Sequence, residues 1–212
     1  MKPLSLLYPS HCMLCRKAIA ADQQGLCSSC RSMVKAEMCS LVCQPPQGVE
    51  RLVCSMRYTG KFAGAITAYK FKQQRAYAAP LAQLMMQAWE WNGMKKPDII
   101  TYVPISTLRM HTRGFNQSRD LAQIIADTWQ VPIQATLRRR LLSRRQSNLH
   151  ARQRWNNAQK TFLLRSDTNL TGKTVLLIDD IVTTGATVSS CAALLKKSGA
   201  HTVWVLAAAK TS

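Results

Sequence analysis

Residues 175–188 read VLLIDDIVTTGATV: four aliphatic residues, two acids and two further aliphatics, then a threonine-threonine-glycine turn. A short apolar run without polar interruption is the pattern of a strand buried on both faces. The turn that ends it leads into VSSCAALLKKSG (188–199), a helix that Gly199 closes. The next apolar run, TVWVLAAA (202–209), is a second strand. Strand, helix and strand in this order call for parallel pairing.

The alternation extends upstream. VERLVCSMRY (49–58) alternates in the manner of an edge strand, and FAGAITAYKF (62–71) and AYAAPLAQLMMQAWEWN (76–92) carry helical spacing, with Pro80 where a first turn tolerates it. DIITYVPI (98–105) reads as a buried strand, followed by a basic loop to Arg113 and an amphipathic helix from about Asn116 to Gln130. LTGK (170–173) reads as a turn. The expected fold class is α/β, a doubly wound parallel sheet, with a small cysteine-bearing module before it. The run QPPQG (44–48) sets the expected boundary, giving a module of residues 1–48 and a domain of residues 49–212. Between them in character stands LRRRLLSRRQSNLHARQRWNNAQK (137–160), Arg-rich and poor in aliphatics, which is expected to be a mobile excursion rather than core.

In a doubly wound sheet ligands bind beyond the carboxyl ends of the strands, where Asp179 and Asp180 must sit if VLLI is buried. Beyond them, the backbone N–H groups of Thr184, Gly185, Ala186 and Thr187 at a helix N-terminus form a cradle for an anion. Gly185 allows close backbone approach, and the hydroxyls of Thr183, Thr184 and Thr187 add donors. Two adjacent carboxylates repel a bare phosphate but accept hydrogen bonds from vicinal hydroxyls, and leave room for a divalent cation. A phosphate together with a diol describes ribose 5-phosphate. A second constellation, VPISTLRMHTRGFNQS (103–118), opens at Pro104 and carries Arg109, His111 and Arg113, with Gly114 permitting a turn and Asn116 near a helix start. Such a loop grips a second anionic group with guanidinium forks and backbone amides.

Composition agrees with anionic ligands. The chain has 212 residues, 47% of them hydrophobic, and a formal net charge of +19 from 29 Lys and Arg against 10 Asp and Glu. Nucleic acid, phosphorylated metabolites and acidic surfaces all fit that charge, which does not choose among them. The segment MKPLSLLYPSHC offers only a brief apolar stretch broken by Ser5 and Pro9, and no run approaches a membrane span, so a cytoplasmic chain without membrane insertion is expected.

Seven of the eight cysteines lie in the first 54 residues. Cys12-x-x-Cys15 and Cys27-x-x-Cys30 read as two knuckles in loop-like surroundings, each presenting two thiolates, and four thiolates suit tetrahedral Zn²⁺ in a structural role. Cys39 and Cys43 form a wider pair. They are a relic, borrow His11 or an outside ligand, or replace one of the first pairs at a single site. Cys191 reads as a core residue.

The run of aliphatics, two acids, two spacers and TTGAT resembles the 5-phosphoribosyl-1-diphosphate (PRPP) signature of type I phosphoribosyltransferases. With RGFNQ preceded by Pro104 and Arg109, the YKFK segment at 69–72 and the cysteine knuckles, all in the same order, the chain resembles the ComF family, the competence proteins F and their GntX relatives. That resemblance implies a type I phosphoribosyltransferase fold with an N-terminal zinc ribbon. It also implies a diphosphate loop at Pro104, Arg109, Arg113 and Gly114. In the excursion, Gln146, Leu149, Arg154 and Asn157, with Phe162 just beyond it, fall at spacings similar to those of the family's closing loop. There Arg154, and after it Arg152, would stabilise the leaving diphosphate and exclude water, with His150 a weaker candidate for proton transfer. The family's double ribbon has a fourth cysteine pair that is missing here, which leaves a second complete zinc site in doubt.

Three functions are compatible with these residues: an enzyme transferring phosphoribosyl from PRPP with Mg²⁺ to an acceptor; a non-catalytic sensor of PRPP or a nucleotide; and a binder of single-stranded DNA acting with DNA-processing proteins. The resemblance adds natural transformation and the use of incoming DNA as the setting, and a dimer is compatible with it.

Overall fold

In a computed structural model of the chain, residues 11–40, 43–72, 74–140 and 161–211 are described. Four strands form one parallel sheet: β1 (Arg51–Arg57), β2 (Ile99–Tyr102), β5 (Thr174–Val182) and β6 (Thr202–Lys210), in the order β1-β6-β5-β2. Two short strands, β3 (Leu137–Arg139) and β4 (Phe162–Leu164), make a separate antiparallel ribbon. The helices are α1 (Ser28–Ser40), α2 (Gly60–Phe71), α3 (Ala78–Trp91), α4 (Thr107–Arg113), α5 (Gln117–Trp129) and α6 (Ala186–Lys197).

The pleat of β5 explains why its sequence is continuously apolar. Successive side chains point to opposite faces, and both faces are covered. Leu176 and Ile178 join one core cluster with α2, α3 and α5, whereas Val175 and Leu177 join a second cluster with α6 and the ribbon residues Leu137 and Phe162. All four are fully buried. Together they contribute roughly 6–12 kcal/mol of burial energy, enough to hold two acids at the strand's end.

The expected elements are present, with three physical differences. β1 lies at the sheet edge as its pattern suggests, yet its five central residues are all buried, because both core clusters draw on it, Val53 and Met56 in one and Leu52 and Cys54 in the other. The strand expected over 98–105 ends at Tyr102, since Pro104 cannot continue a ladder. The segment starting at 137 is not wholly an excursion: Leu137 and Phe162 are buried and pair their strands across it. Arg152, Arg154, His150, Gln146, Leu149 and Asn157 lie outside the described residues.

The cysteine-bearing segment packs into the larger core. Cys12, Met13, Leu14, Leu26 and Val34 share a cluster with Tyr77, Trp89 and the sheet residue Leu206, so residues on both sides of position 48 build one core. Arg16 donates to the Tyr77 hydroxyl at 2.6 Å and lies over its ring, a further tie between the two. Among the described residues no helix is long and apolar enough to cross a membrane.

Candidate functional site

The acids at the end of β5 sit where the neighbouring elements reach over the carboxyl edge of the sheet. Asp180 continues the face of Leu176 and Ile178, towards α2, and there Lys70 Nζ meets its Oδ1 at 2.9 Å. Asp179 accepts at one oxygen, Oδ1, from the Ser118 hydroxyl at 3.0 Å and from the Asp180 backbone N–H at 2.9 Å. Both acids are buried. Burial and the neighbouring Asp180 carboxylate push Asp179 up to about 7, against the opposing pull of those hydrogen bonds and of Lys70.

A cavity of about 200 Å³ opens over this pair. Its walls bring together the expected residues Asp179, Asp180, Thr183 and Thr187 from one segment, and Pro104, Arg109 and Arg113 from the other. Stretches some 70 residues apart in the chain therefore face one space. Ile181, Val103, Ile105 and Phe162 complete it with apolar surface.

The threonine-glycine turn is built by local chemistry. Gly185 has φ +82°, a left-handed conformation that favours glycine, and starts α6; the Thr184 hydroxyl accepts from the Ala186 N–H at 3.4 Å. The close approach that Gly185 permits is to Pro46: a Cβ at position 185 would lie 2.7 Å from the Pro46 Cβ. The QPPQG segment thus lies against the turn. Of this turn, Thr183 and Thr187 line the cavity, whereas Thr184, Gly185 and Ala186 are not among its lining residues.

The basic loop expected after Pro104 is a helix. Ser106 caps α4 by accepting from the Arg109 N–H, and Gly114, at φ +74°, ends it. The Met110 and Gly114 N–H groups bond the Ser106 and Met110 carbonyls within this helix, and what α4 presents to the cavity is the side chains of Arg109 and Arg113. Arg109 and Arg113 both face the cavity, and burial followed by the charge of Arg109 lowers the pKa of Arg113. His111 lies exposed on α4. Asn116 caps α5 through the Ser118 and Arg119 N–H groups and donates to the Val103 carbonyl at 3.1 Å, which locks the α4 segment onto the strand end.

Three residues of the site carry no role in the sequence reading. Lys70 belongs to YKFK, whose three consecutive residues each reach it: the Tyr69 hydroxyl donates to the Gln117 carbonyl at 3.1 Å, Lys70 pairs with Asp180, and the Phe71 ring lies 4.5 Å from the Arg113 guanidinium. Ser118 follows RGFNQ directly. Arg139 comes from the ribbon, its guanidinium 5.7 Å from the Phe162 ring centroid. The signal in each was a polar group close to a quoted motif, with no local pattern to give its direction.

A larger cleft of about 500 Å³ between α1 and α3, lined by Val34, Met38, Leu84 and Trp91 among others, has neither a carboxylate pair nor a hydroxyl-bearing turn.

The cysteines form a second centre. The sulfurs of Cys12, Cys15, Cys27 and Cys30 all lie within 4.8 Å of one another, with Cys15 and Cys27 3.6 Å apart. A tetrahedral Zn–S₄ unit spaces its sulfurs about 3.8 Å apart, so the donor set fits zinc in number, chemistry and spread. Cys12 and Cys15 come from a tight turn in which the Arg16 N–H bonds the Cys12 carbonyl at 2.9 Å, with Arg16 at φ +65°. The second pair does not sit in a loop: Cys30 lies in the first turn of α1 and Cys27 just precedes it. Cys12 and Cys30 are buried. Burial raises the Cys12 thiol, but backbone N–H groups of Cys27, Cys15 and Leu14 outweigh it and bring it to about 6. His11 is not a member of the cluster. Cys43 lies apart from it: the Cys54 thiol beside it outweighs burial and, with Lys210 and Arg57 nearby, lowers Cys43 to about 7. Cys191 is fully buried in the core, as expected.

Residues 112–210 match the phosphoribosyl transferase domain family. The DNA utilization protein YhgH of Salmonella typhimurium is 32% identical over 230 residues, covering 97% of this chain and 99% of that protein. Competence protein F of Haemophilus influenzae is 27% identical over 221 residues, covering 93% and 96%. Among solved structures, an allosteric regulatory enzyme of purine biosynthesis aligns at a TM-score of 0.42 and 19% identity over 68% of this chain and 26% of its own. An adenine phosphoribosyltransferase from Thermoanaerobacter pseudethanolicus aligns at 0.42 and 16% identity over 68% and 84%. With a whole-length relative at this identity, a matching phosphoribosyl transferase domain and an N-terminal four-cysteine cluster, the chain belongs to the ComF family of phosphoribosyltransferase-like proteins.

Proposed function

We propose that this protein binds PRPP in the cavity over Asp179 and Asp180 and transfers its phosphoribosyl group to an acceptor. The observation that carries the reading is one cavity that places a buried carboxylate pair opposite Arg109 and Arg113. Asp179 and Asp180 accept hydrogen bonds from the ribose hydroxyls, and the turn from Thr183 to Thr187 holds the 5-phosphate. Arg109 and Arg113, beside Pro104 and Gly114, hold the diphosphate. Oxygen donors on the acids and on PRPP suit Mg²⁺, which when bound neutralises diphosphate charge. In the reaction the C1–O bond to diphosphate breaks with its electron pair leaving on diphosphate, and an acceptor lone pair forms the new bond to C1. Charge then develops on the leaving group, where arginines stabilise it. Arg154 and Arg152 fill that role in this reading.

Lys70 has two roles within it. Before binding it neutralises Asp180, and ribose hydroxyls release it towards the diphosphate. Residues 1–48 act as the zinc module and residues 49–212 as the phosphoribosyltransferase-like domain. The relatives named for DNA utilization and competence supply the setting, the use of incoming DNA in natural transformation.

Calorimetric titration of PRPP with Mg²⁺ into the wild type and an Asp179→Asn, Asp180→Asn double variant tests the site. Heat in the wild type that is lost in the variant supports it, and no heat in the wild type refutes it. For the chemical step, Arg154→Ala should retain PRPP binding while diphosphate release is suppressed.

A further inference from the structure

Two thiols outside the four-cysteine cluster meet at the edge of the sheet. Cys43 comes from the segment between α1 and β1, and Cys54 from the middle of β1. The Cys43 sulfur lies against both the thiol and the backbone N–H of Cys54. Both residues line a cavity of about 330 Å³, with Pro45, Arg51, Asn92 and Met94 among its other walls. Cys54 is buried and Cys43 half-buried, so a small solute in that cavity reaches Cys43 first.

Charge favours the same order. The Cys54 thiol, which outweighs burial, and after it Lys210 and Arg57 bring the Cys43 thiol to about 7, so much of it is thiolate at neutral pH. The Cys54 thiol is raised, first by its contact with Cys43 and then by burial, and stays protonated. A reachable nucleophile in contact with a protonated thiol is the arrangement of an attacking and a resolving cysteine.

A bond between them would close a strap whose far end is already fixed. The Val49 N–H bonds the Pro46 carbonyl at 3.1 Å, and Val49 itself is buried. Glu50 accepts from the Val203 N–H at 2.8 Å and pairs with Lys196 of α6. Between the two ends Pro46 packs on Gly185, and Gly48 lies against Ala192 of α6. At the near end, the contact of Cys43 with Cys54 ties the strap to β1.

We infer that Cys43 and Cys54 form a reversible disulfide, made by hydrogen peroxide and undone by a dithiol, which clamps residues 43–50 over the start of α6. The Cys43 thiolate attacks one peroxide oxygen: the S–O bond forms, the O–O bond breaks, and hydroxide leaves and takes a proton from solvent. Sulfenic Cys43 no longer carries the charge that was the first cause holding the Cys54 proton. The Cys54 sulfur then attacks the Cys43 sulfur; the S–S bond forms, the S–O bond breaks, and the Cys54 proton leaves with the hydroxyl as water. The two thiols lose two electrons between them, and one peroxide becomes two waters. A dithiol reverses the bond by two exchange steps and ends as a cyclic disulfide. This modification does not depend on PRPP binding, and its failure would leave that reading standing.

The test is tryptic mapping of the folded full chain by mass spectrometry, after one equivalent of hydrogen peroxide and alkylation of the remaining thiols without reduction. Cleavage after Lys35, Arg51 and Arg57 puts Cys43 in 36–51 and Cys54 in 52–57, so the bond appears as these two peptides joined. Cys39 shares the first peptide, and fragment ions that separate it from Cys43 identify the bonded sulfur. The expected result is the joined pair in the wild type, released by dithiothreitol, and absent from Cys43→Ser and from Cys54→Ala. Oxidation should also raise the wild-type melting temperature by about 6–12 °C, the effect of closing a loop of this length, with no such rise in Cys43→Ser. Absence of the joined peptide overturns the inference, as does a bond through Cys39 in place of Cys43, or sulfinic acid at Cys43 with Cys54 free. So does a joined peptide that needs urea to form or that fails to raise the melting temperature, since the bond would then belong to an unfolded chain or a strained one. Should Cys54→Ala lose its fold, Cys43→Ser at its half-buried position supplies the control.

Discussion

Replacing Asp179 with Asn should stabilise the protein and weaken PRPP binding in one step. The carboxyl of Asp179 is pushed from its ordinary 3.8 to about 7, first by burial and then by Asp180. At pH 8, where it is ionised, that displacement corresponds to roughly 4 kcal/mol held against folding. Asn retains an Oδ1 that accepts from the Ser118 hydroxyl and the Asp180 N–H, the two hydrogen bonds of the native side chain. It forfeits the attraction to Lys70 and still buries a polar amide, so about half the relief, roughly 2 kcal/mol, should appear as stability. For a chain of this size that raises the melting temperature by about 4–8 °C. The gain must depend on pH. Between 3.8 and about 7 the folded protein holds a proton that the unfolded chain has released, so wild-type stability falls as pH rises through that window. Below pH 4 the two proteins should therefore melt alike from this cause, and the difference should be complete above pH 7. Binding moves the other way: a charged acceptor for a ribose hydroxyl is worth about 1.5–3 kcal/mol, so PRPP should bind roughly 10- to 150-fold more weakly. Differential scanning calorimetry at pH 4 and pH 8, with PRPP titration at pH 8, reads both effects. A variant that melts at or below the wild type at pH 8, or that binds PRPP within about threefold of it, refutes the reasoning.

Other perturbations test separate parts of the structure. PRPP affinity should rise with pH as Asp179 ionises and level off above about 7; because Lys70 lowers that carboxyl, Lys70→Met should move the plateau to higher pH, seen by titration at stepped pH values. Gly185→Ala combines a left-handed φ of +82° with a Cβ 2.7 Å from Pro46, and should cost about 2–4 kcal/mol, a drop of about 4–16 °C in melting temperature that Pro46→Gly restores in part. Metal analysis should find about one zinc per chain, lost in Cys12→Ser. Chelation should lower the melting temperature of the whole chain, because Met13, Leu14 and Leu26 share the main core cluster with Tyr77 and Trp89.

The amino-acid sequence by itself determined the four strands of the parallel sheet and the helices α2, α3, α5 and α6, and it carried the acids, the threonine-glycine turn and the paired cysteines. These rest on short-range physics: an unbroken VLLI run, a glycine able to take positive φ, acids directly after a buried strand, and thiols separated by two residues. It also determined that Asn116 would start a helix, since capping is a contact between neighbours. The tertiary structure alone decided which groups share a space. Nothing local to Lys70 says that it reaches Asp180, because the residues between them form several intervening strands and helices, and only the packing of α2 over the edge of the sheet closes that distance. The same holds for Cys43, which periodicity paired with Cys39 and the fold set beside Cys54. Whether the basic stretch after Pro104 was loop or helix turned on Ser106 and Gly114, caps that a short polar segment hides among residues suited to either state. Local rules specify elements because the interactions that form them span a few residues; a site joins elements through space, and its membership follows from how the cores on the two faces of the sheet pack.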